Sequence, residues 1–533
     1  MNNHTSSRLA MRIQRAYCGW SKLLVWCMIT LLGFSLISIA FSRSYPSFGV
    51  ETDYLATFVP EARRILAGGP LMVQWHPPLY PLALASVHLL IGDWFATGLI
   101  ISIMTSLAAA WLAFILLRGF LGIAAGVGAL FGCLASGPFL SMGSSASSDT
   151  FFLALFFASL LAAHRAIGQP SARRWAVCGV WVGLALLTRS NALTLALLAA
   201  APLLLDGPSW RRLERLLGFV GGATVPLLVW SVIALATGSP LVPQGSADNL
   251  AMTFYASGDR ISMESMRQVT GEFSGILDVL TRDPLQVLII YTMGLVSLVR
   301  SGLIYLIAPP LNLFIGAALM MLILTRRDRV ALGLIIILFV QVLLLNLKTF
   351  EQRHYLFLVP FIGSGLVMFA WVLTARLADR SVRRTIATCV GLCGVVAVSA
   401  SLAEAIRTSR LNQAELSEAV ISALDIIPSG ASVVARKPHI GFMVGAETVV
   451  PPSDTSPESV GGAMAAIASA GPVFLYYGAA ERAYWPELSA LADPRCAPVG
   501  LVVEAQGAAD GGWVLYRYST EEAPALREED GCA

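Results

Sequence analysis

Long apolar runs broken by short polar joints dominate the first three-quarters of the chain. A membrane-crossing helix needs about 20 mostly apolar residues. Runs of that kind fall near residues 21–41, 95–117, 122–141, 149–167, 175–188, 191–205, 215–236, 309–325, 330–347, 355–375 and 384–403. The pair 175–188 and 191–205 is short, and reads as two tilted helices, a broken helix or one re-entrant hairpin. Two further stretches are ambiguous: 79–91 is too short to span, and 285–306 carries Arg300 in its body. After residue 404 the pattern changes. Runs at 433–436, 474–477, 501–504 and 513–518 read as short strands, and 412–424 and 458–470 read as helices, with Pro/Gly/Ser clusters between them. The expectation is a mainly α polytopic membrane protein with a helical membrane domain over 1–403. A small α/β extracytoplasmic domain with an acidic tail follows over 404–533.

Composition agrees. Of 533 residues, 56% are hydrophobic and 13% charged, with mean hydropathy +0.71, which excludes a soluble globule or a disordered chain. The formal net charge of +3 hides an asymmetry: residues 1–403 carry net +12 and residues 404–533 net −9. Basic clusters before the first span (Arg8, Arg12, Arg15, Lys22), at Arg118, Arg165/Arg173/Arg174, Arg211/Arg212/Arg215, Arg326/Arg327/Arg329 and Arg376/Arg380/Arg383/Arg384 mark loops. All face the cytoplasm if about eleven spans are counted and 79–91 and 285–306 lie along the outer interface. This predicts a multi-pass protein of the cytoplasmic (inner) membrane, N-terminus inside and C-terminal domain outside. The first run exceeds a signal-peptide core and no small-residue cleavage site follows, so it reads as an anchor. Eight cysteines show neither metal-ligand spacing nor a disulfide framework. Cys389 and Cys393, four apart in an apolar run, read as buried small side chains.

In so apolar a chain, function is expected where charge gathers at one membrane face. The first outer loop reads Glu51-Thr-Asp53-Tyr54, continues to Gly68-Gly69, and then gives His76-Pro-Pro-Leu-Tyr80-Pro. Residues 53–67 carry apolar positions at helical spacing and read as an interfacial amphipathic helix. Asp53 at its N-terminus is either a cap or a carboxylate available as a general base. His76 either contacts substrate or fixes the turn before two prolines. Asp149 follows a serine-rich run and opens a span at the same face, again as cap or site residue. Arg189 interrupts two apolar half-segments there. Lys348, Arg353 and His354 sit at another outer helix end, where Lys348 can equally snorkel to headgroups. Acids facing arginines suit an anionic lipid headgroup beside a neutral hydroxyl acceptor, since Arg matches phosphate through its bidentate fork.

At these residues the chain resembles the GT-C superfamily of polyprenyl-phosphate-sugar-dependent glycosyltransferases. It is similar in particular to the bacterial branch related to protein O-mannosyltransferases and lipid A aminoarabinose transferases. The likeness covers roughly residues 20–405. It rests on Asp53-Tyr54, the His-Pro-Pro-Leu-Tyr-Pro element, Asp149, Gly-Leu-Ala-Leu-Leu-Thr-Arg at 183–189 and Arg-His-Tyr…Pro at 353–360. ArgLysProHisIle at 436–440 is similar to the outer domain often appended to such enzymes. The resemblance implies a GT-C-like bundle and an inverting transferase in which Asp53 takes the acceptor proton. In that scheme Asp149 orients sugar or acceptor, and Arg353 with Arg189 stabilises the departing polyprenyl phosphate. It also implies substrate contacts at His354, Lys348, His76, Tyr54 and Tyr80. One departure is that the first loop has Glu51-Thr-Asp53 where many relatives have adjacent acids.

The implied partners are a lipid-linked sugar donor, a lipid, glycan or protein acceptor and membrane lipids, with no nucleic acid. No cofactor and no metal are expected. Two other classes compete. A flippase or transporter of a lipid-linked glycan would also place charge in a membrane cavity, but ionisable groups gathered at one face favour chemistry there over alternating access. A non-catalytic scaffold for the outer domain leaves Asp53, Asp149 and Arg353 without a purpose.

Overall fold

A computed structural model describes residues 3–42, 53–71, 76–241, 246–256, 269, 272–325, 329–347, 351–409, 414–449, 457–496, 500–509 and 512–519. Glu51, Lys348 and the acidic tail lie outside the described residues. Two compact units emerge. The first comprises Met1–Ser42, Ala62–Gln244 and Leu285–Thr408; the second comprises Arg43–Glu61, Gly245–Pro284 and Ser409–Ala533.

The N-terminal helices are α1 (Asn3–Ser42), α2 (Val59–Leu66), α3 (Leu79–Ile91), α4 (Trp94–Leu121), α5 (Ile123–Leu134), α6 (Gly137–Gly143), α7 (Asp149–Gly168), α8 (Ala172–Leu186), α9 (Ala201–Leu204) and α10 (Ser209–Thr237). Later helices include Ile315–Thr325, Arg329–Leu345, Val359–Ala375 and Arg380–Ser409. Among the described residues, six helices are long and apolar enough to cross a membrane, or up to eight if two bent pairs each form one span. Several apolar runs are therefore realised as shorter or broken helices. The run 122–141 bends by 71° between α5 and α6. There the Ser136 hydroxyl accepts from the Phe139 amide at 3.3 Å and Pro138 starts a new helix. The short pair foreseen at 175–205 becomes α8, a tight 3-10 stretch over Ser190–Ala200, and the four-residue α9.

Small residues let the helices of the first unit approach backbone to backbone. Gly179 and Gly183 on α8 face Gly218 and Gly222 on α10. A Cβ on Gly179 would lie 2.0 Å from the Phe219 carbonyl oxygen, and one on Gly222 would lie 2.0 Å from that of Ala176. The second such contact joins α5 to Val359–Ala375, where a Cβ on Gly132 would meet the Val359 oxygen at 2.5 Å. Glycines four apart on adjoining helices replace the hydrophobic drive that lipid removes with close van der Waals packing. These two contacts fix the helices that carry Arg189 and Arg353.

In the second unit, β1 (Ser432–Val434), β2 (Glu447–Val449), β3 (Val473–Tyr477), β4 (Leu501–Gly507) and β5 (Trp513–Tyr518) form one sheet in the order β2-β1-β3-β5-β4. β1 pairs parallel with β2 and β3, whereas β5 is antiparallel to β3 and β4. Every residue of β3 is buried, as a strand covered on both faces requires. The four foreseen strands and two helices are present. β2, which opens on the exposed Glu447, carries no apolar run like the one that marks β1 in the sequence. Cys496 is disulfide-bonded, which corrects the cysteine reading: spacing alone cannot reveal a pair brought together by tertiary folding.

Beyond β1 the chain passes through Arg436, Lys437 and His439. The Arg436 amide donates to Glu481 at 3.3 Å, as does the Gly478 amide at 3.3 Å. The neighbouring Glu415 carboxylate accepts from the Ala479 amide at 2.8 Å and from the Tyr476 hydroxyl. Burial pushes Glu481 up to about 7, and burial with the adjacent Arg436 pulls Lys437 down to about 8. An acid raised when folded is stabilising while protonated, so this contribution is present below about 4.5 and is lost as pH rises toward 7. Hydrogen exchange of the Val473–Tyr477 amides in the intact protein, corrected for intrinsic rates, should show protection falling between pH 5 and pH 7. Glu481→Gln should flatten that fall; an unchanged slope in the variant would show that another group titrates.

Candidate active site

Site construction begins with the serine-rich run preceding α7. Ser144, Ser145, Ser147 and Ser148 are all buried. The Ser147 amide donates to the Ser102 hydroxyl at 3.3 Å, and the Thr150 hydroxyl lies 3.1 Å from that of Thr105. Gly143 makes room for this docking, since a Cβ there would meet the Ser106 hydroxyl at 2.6 Å. The run is thereby pinned along α4, and Asp149 starts α7 at a fixed position. The capping role open to Asp149 goes unused as such: it occupies the first helical residue, beyond the N-cap Ser148.

Instead the carboxylate, 5% exposed, sits among cations. Arg189 forms an ion pair through Nη1 with Asp149 Oδ1 and also donates to the Ser148 hydroxyl at 3.3 Å. Arg353 Nη1 lies 3.9 Å from Asp149 Oδ2, and its Nε donates to Glu351. Two guanidiniums and two carboxylates thus balance, with Arg353 shared between a buried and a half-exposed acid. Backbone breaks deliver both arginines. Arg189 follows the last turn of α8 with extended dihedrals (φ −150°, ψ 138°) before the 3-10 stretch begins. Arg353 lies in the 3-10 turn Gln352–Leu358 that leads into Val359–Ala375.

The His-Pro-Pro-Leu-Tyr-Pro element reaches the same neighbourhood. The Leu79 amide donates to the Leu187 carbonyl at 2.8 Å, two residues before Arg189. Buried Tyr80 packs its ring 5.7 Å from Phe151 on α7. His76 is half-buried at the start of the element, and His354 follows Arg353 on its turn, its amide donating to Glu351 at 3.1 Å. Asp53 and Tyr54 belong to the second unit. Asp53 stands at the N-terminus of the helical turn Tyr54–Phe58, and its side chain makes no capping hydrogen bond there, so the plain cap reading fails. Ser147, Ser148 and Ser102 join the site without belonging to any motif in the sequence. The signal for Ser147 and Ser148 is five serines within eight apolar-flanked residues, 141–148; Ser102, inside an apolar run, carries none.

Among the described residues, no group of three or more His, Cys, Asp or Glu side chains is arranged to hold a metal. What the cluster can do chemically is bind an anion: Arg189 already neutralises Asp149, so Arg353 can turn its fork to a phosphate.

Residues 75–235 match the model of a family described as dolichyl-phosphate-mannose-protein mannosyltransferase. No curated protein matches the chain in sequence. Among solved structures, the chain is similar to ArnT from Cupriavidus metallidurans in the apo state. Identity is 13%, the TM-score 0.55, and the match covers 96% of this chain and 100% of that one. ArnT bound to undecaprenyl phosphate matches at 15% identity and TM-score 0.53, over 95% and 99%. The Archaeoglobus fulgidus oligosaccharyltransferase in its apo form matches at 12% identity and TM-score 0.52, over 94% and 75%. The solved structures bear out the expected fold, a helical membrane bundle with a small sheet region near the C-terminus; over residues 75–235 the chain is also similar to that mannosyltransferase family.

Removing one partner of a buried ion pair strands the other charge, at a cost of about 3–5 kcal/mol. Arg189→Ala should therefore lower the thermal midpoint of the detergent-solubilised protein clearly. The double variant Asp149→Asn/Arg189→Ala should recover much of that loss. If the double variant is no more stable than Arg189→Ala, the pair is not electrostatically coupled.

Proposed function

We propose that this membrane protein is a GT-C glycosyltransferase that moves a sugar from a polyprenyl-phosphate donor to a hydroxyl acceptor at the extracytoplasmic face of the cytoplasmic membrane, inverting the anomeric carbon. The observation that carries this reading is the Asp149 carboxylate held between Arg189 and Arg353. The ArnT structure that holds undecaprenyl phosphate supports the donor class. The Lys/Arg bias and a disulfide at Cys496, a bond favoured in oxidising compartments, support the orientation.

In the proposed reaction the acceptor oxygen attacks the anomeric carbon while the bond from that carbon to the phosphate oxygen breaks. Its electron pair leaves with the polyprenyl phosphate, whose charge Arg353 meets, with Arg189 holding Asp149 neutralised beside it. Asp53 takes the acceptor's proton, and Asp149 orients the reacting groups. His354, Lys348, His76, Tyr54 and Tyr80 supply the remaining substrate contacts. A single displacement inverts configuration. The guanidiniums supply the positive charge for the leaving group, so no metal is needed in this scheme.

Purified protein in lipid nanodiscs, given a panel of undecaprenyl-phosphate-linked sugars and followed by mass spectrometry, should transfer one of them to a hydroxyl acceptor. Asp53→Asn should slow that transfer by about 10²–10⁴-fold with expression unchanged. Transfer at the wild-type rate in the variant removes Asp53 as the base. Translocation of the lipid with no covalent product would instead mean a transporter. Dialysis against EDTA should leave the rate intact; a loss restored by a divalent cation would contradict the metal-free scheme.

A further inference from the structure

A cavity of about 580 Å³ opens beside Arg353, within the first unit. Its walls come from α6, from the segment 304–312 and from the C-terminal part of the helix Arg380–Ser409. The Ala308 amide ties that segment to the α5–α6 bend by donating to the Ala135 carbonyl at 2.9 Å. Apolar wall groups include Met142 and Ile307; polar ones include Ser141, Asn312, Gln352 and Ser401. Among the described residues of the lining, Arg353 is the one cation. The one acid among them, Glu404, is already paired with Arg407 at 2.7 Å.

Ser401 sets this cavity apart. It is 1% exposed, yet its hydroxyl has no hydrogen-bond partner among the described residues. Other helical hydroxyls in the same bundle fold back on the carbonyl four residues earlier: Thr105 on Ile101, Ser144 on Leu140, Ser159 on Leu155 and Ser364 on Pro360. That default is available in any helix, and Ser401 does not take it. A buried, unsatisfied hydroxyl in a cavity wall is a hydrogen-bonding group awaiting a ligand or water.

We infer that this cavity receives the sugar ring of the lipid-linked donor, resting on the donor assignment proposed above. Arg353 belongs both to the Asp149 cluster and to the cavity lining, so a phosphate held on Arg353 lies next to the cavity, with its sugar beside that opening. The volume falls in the range of small-molecule pockets, about 300–1,000 Å³, and suits one saccharide unit. With the lining acid already paired and a single cation reserved for phosphate, the rest of the wall offers neutral hydrogen-bonding groups to sugar hydroxyls. Ser401 and Asn312 are thus specificity-determining residues.

The test compares two probes on the protein in nanodiscs: undecaprenyl phosphate, and undecaprenyl phosphate carrying the sugar that the wild type transfers or, failing transfer, a hexose. Ser401→Leu, which replaces the hydroxyl with bulk in the cavity wall, should weaken binding of the sugar-bearing lipid by about tenfold or more. Undecaprenyl phosphate itself should bind within about twofold of wild type, which also reports a folded variant. Ser401→Ala, which removes only the hydroxyl, should weaken the sugar-bearing lipid by about fivefold and spare the other. Variants that treat the two lipids alike overturn the sugar pocket while leaving the donor class standing. A wild type that binds neither lipid overturns the donor class and the pocket together.

Discussion

A carboxylate that is almost fully buried at the end of a membrane helix cannot stay charged alone, and much of the first unit answers that constraint. Asp149 is held by Arg189 and approached by Arg353. Neither arginine arrives on a regular helix: both lie where helical hydrogen bonding breaks, after α8 and in the turn before Val359–Ala375. Broken backbone at membrane depth is tolerated where protein surrounds it. Here the surrounding comes from helices pressed together through glycines, α8 on α10 and α5 on Val359–Ala375. The charge cluster and the glycine contacts are therefore two sides of one arrangement.

That arrangement gives the site its chemical character. Arg189 alone balances Asp149, while Arg353 is divided between Asp149 and the more exposed Glu351. An arriving phosphate can draw Arg353 off both acids without leaving a buried acid unpaired, since Glu351 is exposed and Asp149 keeps Arg189. Under the proposed function, such a site would receive a phosphate headgroup at little cost in reorganisation, as stabilisation of a departing phosphate requires.

Hydropathy made the class of protein legible, and the alternation after residue 404 made the sheet legible except for three-residue β2. Asp149, Arg189 and Arg353 could be singled out because a charge in an apolar chain is expensive wherever it sits. Their mutual contact could not, because it depends on tertiary packing of segments 40 and more residues apart. The run 122–141 reads as one span in the sequence, whereas Ser136-Gly-Pro138 bends it, and the run 191–205 folds as a 3-10 stretch and a four-residue helix. Burial of the serines before Asp149 was invisible, since serine is ordinarily a surface or loop residue. Ser401 was likewise hidden within an apolar run, and the Cys496 disulfide within an uninformative spacing.

The account turns on Arg353 leaving its acids for the donor's phosphate. An experimental structure of the protein in nanodiscs with undecaprenyl phosphate bound tests this most directly. The account predicts a phosphate oxygen within hydrogen-bond distance of the Arg353 guanidinium, with the Asp149–Arg189 pair intact. A phosphate seated elsewhere, with Arg353 still on Glu351, would contradict it.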